Sequence, residues 1–76
     1  MINKNPTIKE TFVLAYENYR KGNFKVAENL YKKILKTNTE HFGSNFYLGT
    51  LLLQNRKFEL AKSLLCKATQ INPKYA

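Results

Sequence analysis

The fold of this chain is decided by residues 48–73, which read LGTLLLQNRKFELAKSLLCKATQINP. Apolar and small residues recur there at spacings of three and four on both sides of the polar break at 55–57. This pattern predicts two amphipathic helices that pack as antiparallel neighbours across a short turn. Gly49 and Ala61 are small enough to let the two helices approach closely. Pro73 ends the second helix, because proline cannot continue one.

The same pattern occurs twice along the chain. When the sequence is shifted by 34 residues, identical residues align at helix-packing positions. The identical pairs are Phe12/Phe46, Leu14/Leu48, Phe24/Phe58, Ala27/Ala61, Leu30/Leu64, Lys33/Lys67 and Asn38/Asn72. Other pairs, such as Ala15/Gly49 and Tyr31/Leu65, keep a small or an apolar side chain. The sequence therefore predicts two copies of one helical hairpin, with helices at about 8–21, 24–36, 40–54 and 58–71.

The predicted helix ends rest on residues that favour caps and turns. Thr7 and Glu10 have the spacing of a capping box, in which each side chain accepts from the other residue's backbone amide. Gly22 supplies a left-handed residue after the first helix, and Asn23 is expected to cap the second. The turn at 55–57 has no glycine, so Asn55 or Arg56 is expected to adopt the left-handed conformation.

The repeated hairpin resembles the tetratricopeptide repeat, whose pattern is W-x2-L-G-x2-Y, then A-x3-F, then P over 34 residues. In the second copy, Leu48-Gly49, Ala61 and Pro73 match this pattern, while Asn45 and Leu52 replace its tryptophan and tyrosine. In the first copy, Thr11, Asn18 and Thr39 replace the tryptophan, tyrosine and proline. The resemblance implies an all-α fold, in which two antiparallel helical hairpins stack as a short right-handed solenoid.

The resemblance also divides the chain. It gives a flexible N-terminal segment at 1–7, a first repeat at 8–39, a second repeat at 40–73 and a truncated start of a further repeat at 74–76. Because arrays of this kind bury each hairpin against the next, the chain is expected to be part of a longer array. Leu53, Leu60 and Leu64 would then lack a neighbour. We expect the open C-terminal hairpin to self-associate, with a closed two-fold dimer favoured over head-to-tail stacking.

Few residues suit catalysis or metal binding. The chain has one histidine (His41), one cysteine (Cys66), five glutamates and no aspartate. No Cys/His pair has metal-ligand spacing, and the sequence contains no glycine-rich phosphate loop. His41 is expected at the surface where a helix starts, and Cys66 is expected to be an exposed thiol. We therefore expect no enzymatic activity, no cofactor and no metal site.

The composition of the chain indicates its cellular compartment and the class of its binding partners. A single cysteine gives no sign of an oxidising compartment, and no apolar run is long enough to cross a membrane, so a cytoplasmic protein is expected. The net charge is +8, with eleven lysines but only two arginines, although arginine is favoured for phosphate and base contacts. Solvated helix surfaces explain this balance best. The alternative is a basic helical-hairpin nucleic-acid-binding protein that uses Lys25, Lys32, Lys33 and Lys36.

The resemblance implies a protein-interaction module that acts as a scaffold. In that family the first helix of each repeat lines a concave groove that holds an extended peptide or a partner helix. The groove residues implied here are Lys9, Phe12, Tyr16, Tyr19, Arg20, Phe46, Thr50 and Leu53. Val13 and Tyr47 are expected to pack between the hairpins instead. Phe12 and Tyr16 favour a ligand with an apolar or aromatic anchor over an acidic C-terminal tail.

Overall fold

A computed structural model describes residues 6–75 of the chain, apart from the side chain of Tyr75. Over this range the chain is entirely helical and contains four α-helices and one short 3-10 helix. Their bounds are α1 Ile8–Arg20, α2 Phe24–Thr37, α3 Phe42–Gln54, α4 Phe58–Ile71 and the 3-10 helix Pro73–Tyr75. The predicted all-α fold is confirmed. Residues 1–5 of the predicted flexible segment, and residue 76, lie outside the described range.

The ends of α1 and the two tight turns form largely as the sequence predicts. The Thr7 hydroxyl accepts from the Glu10 amide and the Glu10 carboxylate accepts from the Thr7 amide, each at 3.0 Å. Gly22 has a φ of +87°, and Arg56 takes the left-handed conformation in the turn without glycine, with a φ of +62°. The prediction for Asn23 is wrong, because its side chain makes no capping bond to α2.

The third helix begins later than predicted, at Phe42 instead of residue 40. Asn38 causes the difference, since its side-chain oxygen accepts from the Glu40 amide at 3.0 Å and holds residues 38–40 in a turn. His41 then caps α3, because its Nδ1 accepts from the Ser44 amide at 3.1 Å. The helix therefore starts only after an imidazole cap, which is not one of the usual capping side chains.

The helices pack in chain order. α1 packs on α2, α3 packs on α4, and the two hairpins meet mainly through α2 and α3. The stack is elongated, with extents of 42 × 25 × 19 Å. The main buried apolar cluster contains Ala15, Ala27, Tyr31, Ile34, Leu48, Leu51, Leu52 and Ala61. Two stacked helical hairpins are thus what the described residues form.

Asn45 ties the second hairpin to the segment before it. Its side chain is 1% exposed, and its Nδ2 donates to the carbonyls of Thr39 and His41 at 3.1 and 2.9 Å. Both of these carbonyls belong to the connection between α2 and α3. These two hydrogen bonds hold the connection against the start of α3 and offset the loss of hydration of the buried amide nitrogen.

The exposure of several apolar residues differs from what the sequence predicts. Val13 is expected to pack between the hairpins, and the pair Leu14/Leu48 places Leu14 at a helix-packing position, but each of the two residues is 49% exposed. These two predictions are wrong because no helix of the described residues covers that side of α1. Leu53 and Leu60 are exposed as predicted, whereas Leu64 is half-buried against the core.

Within residues 6–75 there is no helix that combines the length and the apolar character needed to span a membrane.

Gly49 marks the closest approach within the second hairpin. A Cβ atom at this position would lie 2.8 Å from Cγ and 2.9 Å from Cδ2 of Leu65, which is closer than carbon atoms can pack. We predict that Gly49→Val lowers the free energy of unfolding by about 1–3 kcal/mol, because the hairpin must open to admit the side chain. Urea denaturation followed by circular dichroism measures this.

Ser63→Val is the matched control, because it adds a β-branched side chain at an exposed site inside α4. It should change the free energy of unfolding by no more than about 0.5 kcal/mol. Equal effects of the two substitutions would show that the close approach at Gly49 is not a constraint on the fold.

Candidate functional site

Aromatic side chains fill the junction between the two hairpins. Six rings take part, and we call them the aromatic seam: Phe12, Tyr16 and Tyr19 of α1, Tyr31 of α2, and Phe46 and Tyr47 of α3. Tyr47 is central to it, with its ring 5.3 Å from that of Tyr19, 5.4 Å from Tyr16 and 5.9 Å from Tyr31. The predicted packing of Tyr47 between the hairpins is confirmed. Ring pairs at such distances add attraction beyond the burial of apolar area.

The seam opens into a cavity between α1 and the beginning of α3. This seam cavity has a volume of about 300 Å³. Its lining consists of Phe12, His41, Phe42, Gly43, Phe46 and Tyr47. The volume lies at the lower end of the range for small-molecule pockets, which suits one or two large side chains of a partner.

Gly43 gives Phe12 its position at this cavity. A Cβ on Gly43 would lie 2.5 Å from Cζ of the Phe12 ring, so the ring rests directly on the helix backbone. The same ring lies 5.0 Å from the His41 imidazole and 5.8 Å from the Tyr31 ring. Phe12 is half-buried by these contacts and still contributes to the cavity wall. A glycine at 43 therefore lets an aromatic ring of α1 form one wall of a cavity on α3.

The structure brings together some of the predicted groove residues and separates others. Phe12 and Phe46 line the seam cavity, and Tyr16, 38% exposed, lies against Tyr47 beside it. Thr50 is half-buried and donates its hydroxyl to the Phe46 carbonyl at 2.9 Å, within its own helix.

The other predicted groove residues lie outside the seam cavity. Lys9 and Arg20 are exposed near opposite ends of α1, and Tyr19 joins the aromatic seam. Leu53 belongs to a separate cavity on α3 and α4. The cavity residues that the sequence did not assign to the site are His41, Phe42, Gly43 and Tyr47. Phe42 and Phe46 are four positions apart in the sequence, and this spacing is a signal that could have placed Phe42 beside Phe46.

His41 closes one side of the seam cavity. Its predicted place at the start of a helix is confirmed, but the ring is half-buried rather than on the surface. Burial lowers the pKa of His41, because the imidazolium would lose hydration. The neutral ring is also the form that can accept from the Ser44 amide.

Tyr31 is the most buried ring of the seam. It is 0% exposed, and its hydroxyl has no hydrogen-bond partner among the protein atoms of residues 6–75. Burial raises the pKa of Tyr31 above its ordinary value, and the nearby Tyr47 and Tyr19 hydroxyls add to this effect. The hydroxyl therefore remains protonated, and its desolvation is not offset by a hydrogen bond.

Metal-binding clusters and free thiols are two other kinds of chemical site that the described residues could contain. No group of three or more His, Cys, Asp or Glu side chains lies close enough together to hold a metal ion within residues 6–75. Cys66 is an exposed thiol, as predicted.

In comparisons with known proteins, no family model, no curated protein and no solved structure matches this chain.

The first prediction from the site concerns the hydroxyl of Tyr31, which has no hydrogen-bond partner among the described residues. Tyr31→Phe should leave the free energy of unfolding unchanged or raise it by about 1 kcal/mol, because it removes a buried polar atom and keeps the ring. Tyr31→Leu, which copies Leu65 of the second hairpin, should lower it because the ring contacts are lost. Thermal and urea denaturation measure both. A loss of more than about 1 kcal/mol in Tyr31→Phe would show that the hydroxyl is bonded in solution.

The second prediction concerns His41 and pH. Because the folded chain holds the pKa of His41 below the ordinary value of about 6.5, the folded state favours the neutral ring. The free energy of unfolding should therefore be highest above about pH 7 and should fall as the pH is lowered through the pKa of the folded state. Urea denaturation between about pH 5 and 8 measures this, above the range in which the glutamates titrate.

His41→Asn is the control for the pH dependence. Asparagine caps helices well and does not titrate, so this variant should show a flatter pH profile even if its overall stability is lower. An unchanged slope in His41→Asn would assign the pH dependence to another group.

Proposed function

We propose that this chain is a protein-interaction module that binds a peptide or a partner helix through the seam cavity and has no catalytic activity of its own. The observation that carries the proposal is the partly exposed aromatic wall that Phe12 of α1 and Phe46 of α3 form. Large aromatic side chains offer much contact area at low cost in conformational entropy. Apolar pockets of this kind commonly hold the anchor side chains of a partner.

The proposal includes the finer architecture that the sequence implies. Two hairpins stacked with the 34-residue offset are compatible with a short right-handed solenoid of the tetratricopeptide type. In such an arrangement α1 and α3 lie side by side and present one continuous face. The contacts of Tyr47 with Tyr16 and Tyr19 support this placement. A single exposed thiol suits a reducing compartment, so the cytoplasm is the proposed location.

The expected ligand is an amphipathic segment with one aromatic or large aliphatic anchor. The cavity wall is mostly aromatic, and the two cations predicted for the groove, Lys9 and Arg20, are not among its lining residues. A carboxylate anchor would therefore enter an apolar space without a charged partner, which costs free energy. An aromatic anchor would instead stack against rings that are already in place.

The test is selection from a phage-displayed library of random peptides, followed by titration calorimetry with the selected peptides. Selected sequences should share an aromatic or large aliphatic residue. Phe46→Ala should weaken binding about tenfold or more, as expected when a contact in an apolar pocket is truncated, and Tyr16→Ala, beside the cavity, should weaken it less. Val26→Ala is the matched control, because Val26 is 47% exposed and does not line the seam cavity. It should bind as the unmodified chain does.

Two results would contradict the proposal. One is binding of a peptide with a Glu-Glu-Val-Asp C-terminus that is lost in Lys9→Ala or Arg20→Ala, which would indicate a carboxylate clamp. The other is binding of a single-stranded RNA oligonucleotide that weakens steeply with salt, since release of counterions from phosphates produces that dependence. The second result would favour the basic nucleic-acid-binding alternative.

A further inference from the structure

A second apolar surface lies on the other hairpin. Here α3 and α4 enclose a cavity of about 450 Å³, which we call the open-end cavity. Its lining consists of Leu53, Phe58, Glu59, Ala61, Lys62, Leu65, Cys66 and Thr69. Leu53 and Phe58 are 48% and 58% exposed, although side chains of this kind are normally buried. None of the helices in residues 6–75 covers this surface.

The internal repeat identifies what kind of surface this is. Shifted back by 34 residues, Leu53, Ala61 and Leu65 correspond to Tyr19, Ala27 and Tyr31 of the first hairpin. The rings of Tyr19 and Tyr31 pack on Tyr47 of α3, while Ala27 is buried in the first hairpin as Ala61 is in the second. The part of the open-end cavity around Leu53 and Leu65 is therefore the second copy of an interface that the chain already uses, and a helix equivalent to α3 is what fits it.

The chain carries such a helix at its other end. α3 docks on the first hairpin through Tyr47 and Leu48, and the residues 34 positions earlier are Val13 and Leu14 of α1. Val13 and Leu14 are each 49% exposed. The sizes also agree, because the first hairpin accepts Tyr47 between tyrosines, whereas the open-end cavity would accept the smaller Val13 between two leucines.

We propose that α1 of a second copy of this chain docks in the open-end cavity, so that copies associate head to tail. The interface between copies then repeats the α2–α3 junction found within one chain. This proposal uses a surface separate from the seam cavity and does not depend on the proposed ligand.

Local charge favours this pairing despite the net charge of +8. Glu10 and Glu17 lie one turn before and after Val13 and Leu14, on the same side of α1. The open-end cavity contributes Lys62, and the exposed Lys57 precedes α4. Glu59 also lines the cavity and weakens this charge pairing.

The test is sedimentation equilibrium in reducing buffer, which excludes a disulfide through Cys66. The unmodified chain should show an average mass above 8.9 kDa that rises with concentration up to about 500 µM, because head-to-tail contacts leave an open end on every assembly. Val13→Lys blocks the α1 surface, and Leu53→Lys or Thr69→Lys blocks the cavity. Each variant alone should remain at 8.9 kDa.

Mixing the variants gives the decisive result. An equimolar mixture of Val13→Lys and Leu53→Lys retains one intact α1 surface and one intact cavity, so it should form a dimer of twice the chain mass and nothing larger. Val26→Lys, which places a charge on an equally exposed apolar site, is the control and should behave as the unmodified chain does. Circular dichroism confirms that each variant is folded. Thr69→Lys replaces Leu53→Lys if the latter unfolds.

Three outcomes would overturn the proposal. A folded, unmodified chain that stays at 8.9 kDa up to about 500 µM would show that copies do not associate. Self-association that survives in Val13→Lys would indicate a closed dimer through the cavity alone. Failure of the mixed variants to form a dimer would show that the two surfaces do not bind each other.

Discussion

The packing of this chain depends on one small residue in each helix. Ala15, Ala27 and Ala61 are at most 1% exposed, and Gly49 leaves no room for a Cβ atom beside Leu65. Small residues at these positions bring helix axes close enough for larger side chains on both sides to interlock. Ala15/Gly49 and Ala27/Ala61 are equivalent positions at an offset of 34, so both hairpins have small residues where their two helices pack.

Where the hairpins meet, the chain uses aromatic rings in place of aliphatic ones. Tyr31 loses the hydration of its hydroxyl and gains ring contacts with Phe12 and Tyr47. Large rings fill the junction incompletely, since Phe12 and Phe46 remain half-buried at the edge of a cavity. The same residues thus stabilise the junction between the hairpins and provide an apolar surface for a partner. A tightly filled aliphatic junction would give comparable stability without that surface.

The sequence predicts the helices of this fold better than it predicts which of their faces are exposed. The helices, the capping box at Thr7 and the left-handed Arg56 follow from spacing and local chemistry. The exposure of Leu14 does not, because the internal repeat equates it with the buried Leu48 and cannot show which copy lacks a neighbour. The later start of α3 depends on Asn38, whose side chain competes with the helix for the Glu40 amide. The site follows the same rule: Phe12 and Phe46 were predicted, but Gly43 and His41 reach Phe12 only through the packing of α1 on α3.

The groove that the sequence predicts corresponds to two chemically different surfaces in the structure. Phe12 and Phe46 belong to an aromatic cavity whose walls are fixed by contacts within the chain, which suits an anchor side chain of a foreign segment. Leu53 belongs to a separate cavity on α3 and α4, in which Leu53 and Leu65 correspond to the two tyrosines that pack on α3 in the first hairpin. An apolar surface of this kind gains most from a whole helix that excludes water along its length. Because the two linings share no residue, a substitution in the lining of one cavity leaves the lining residues of the other unchanged.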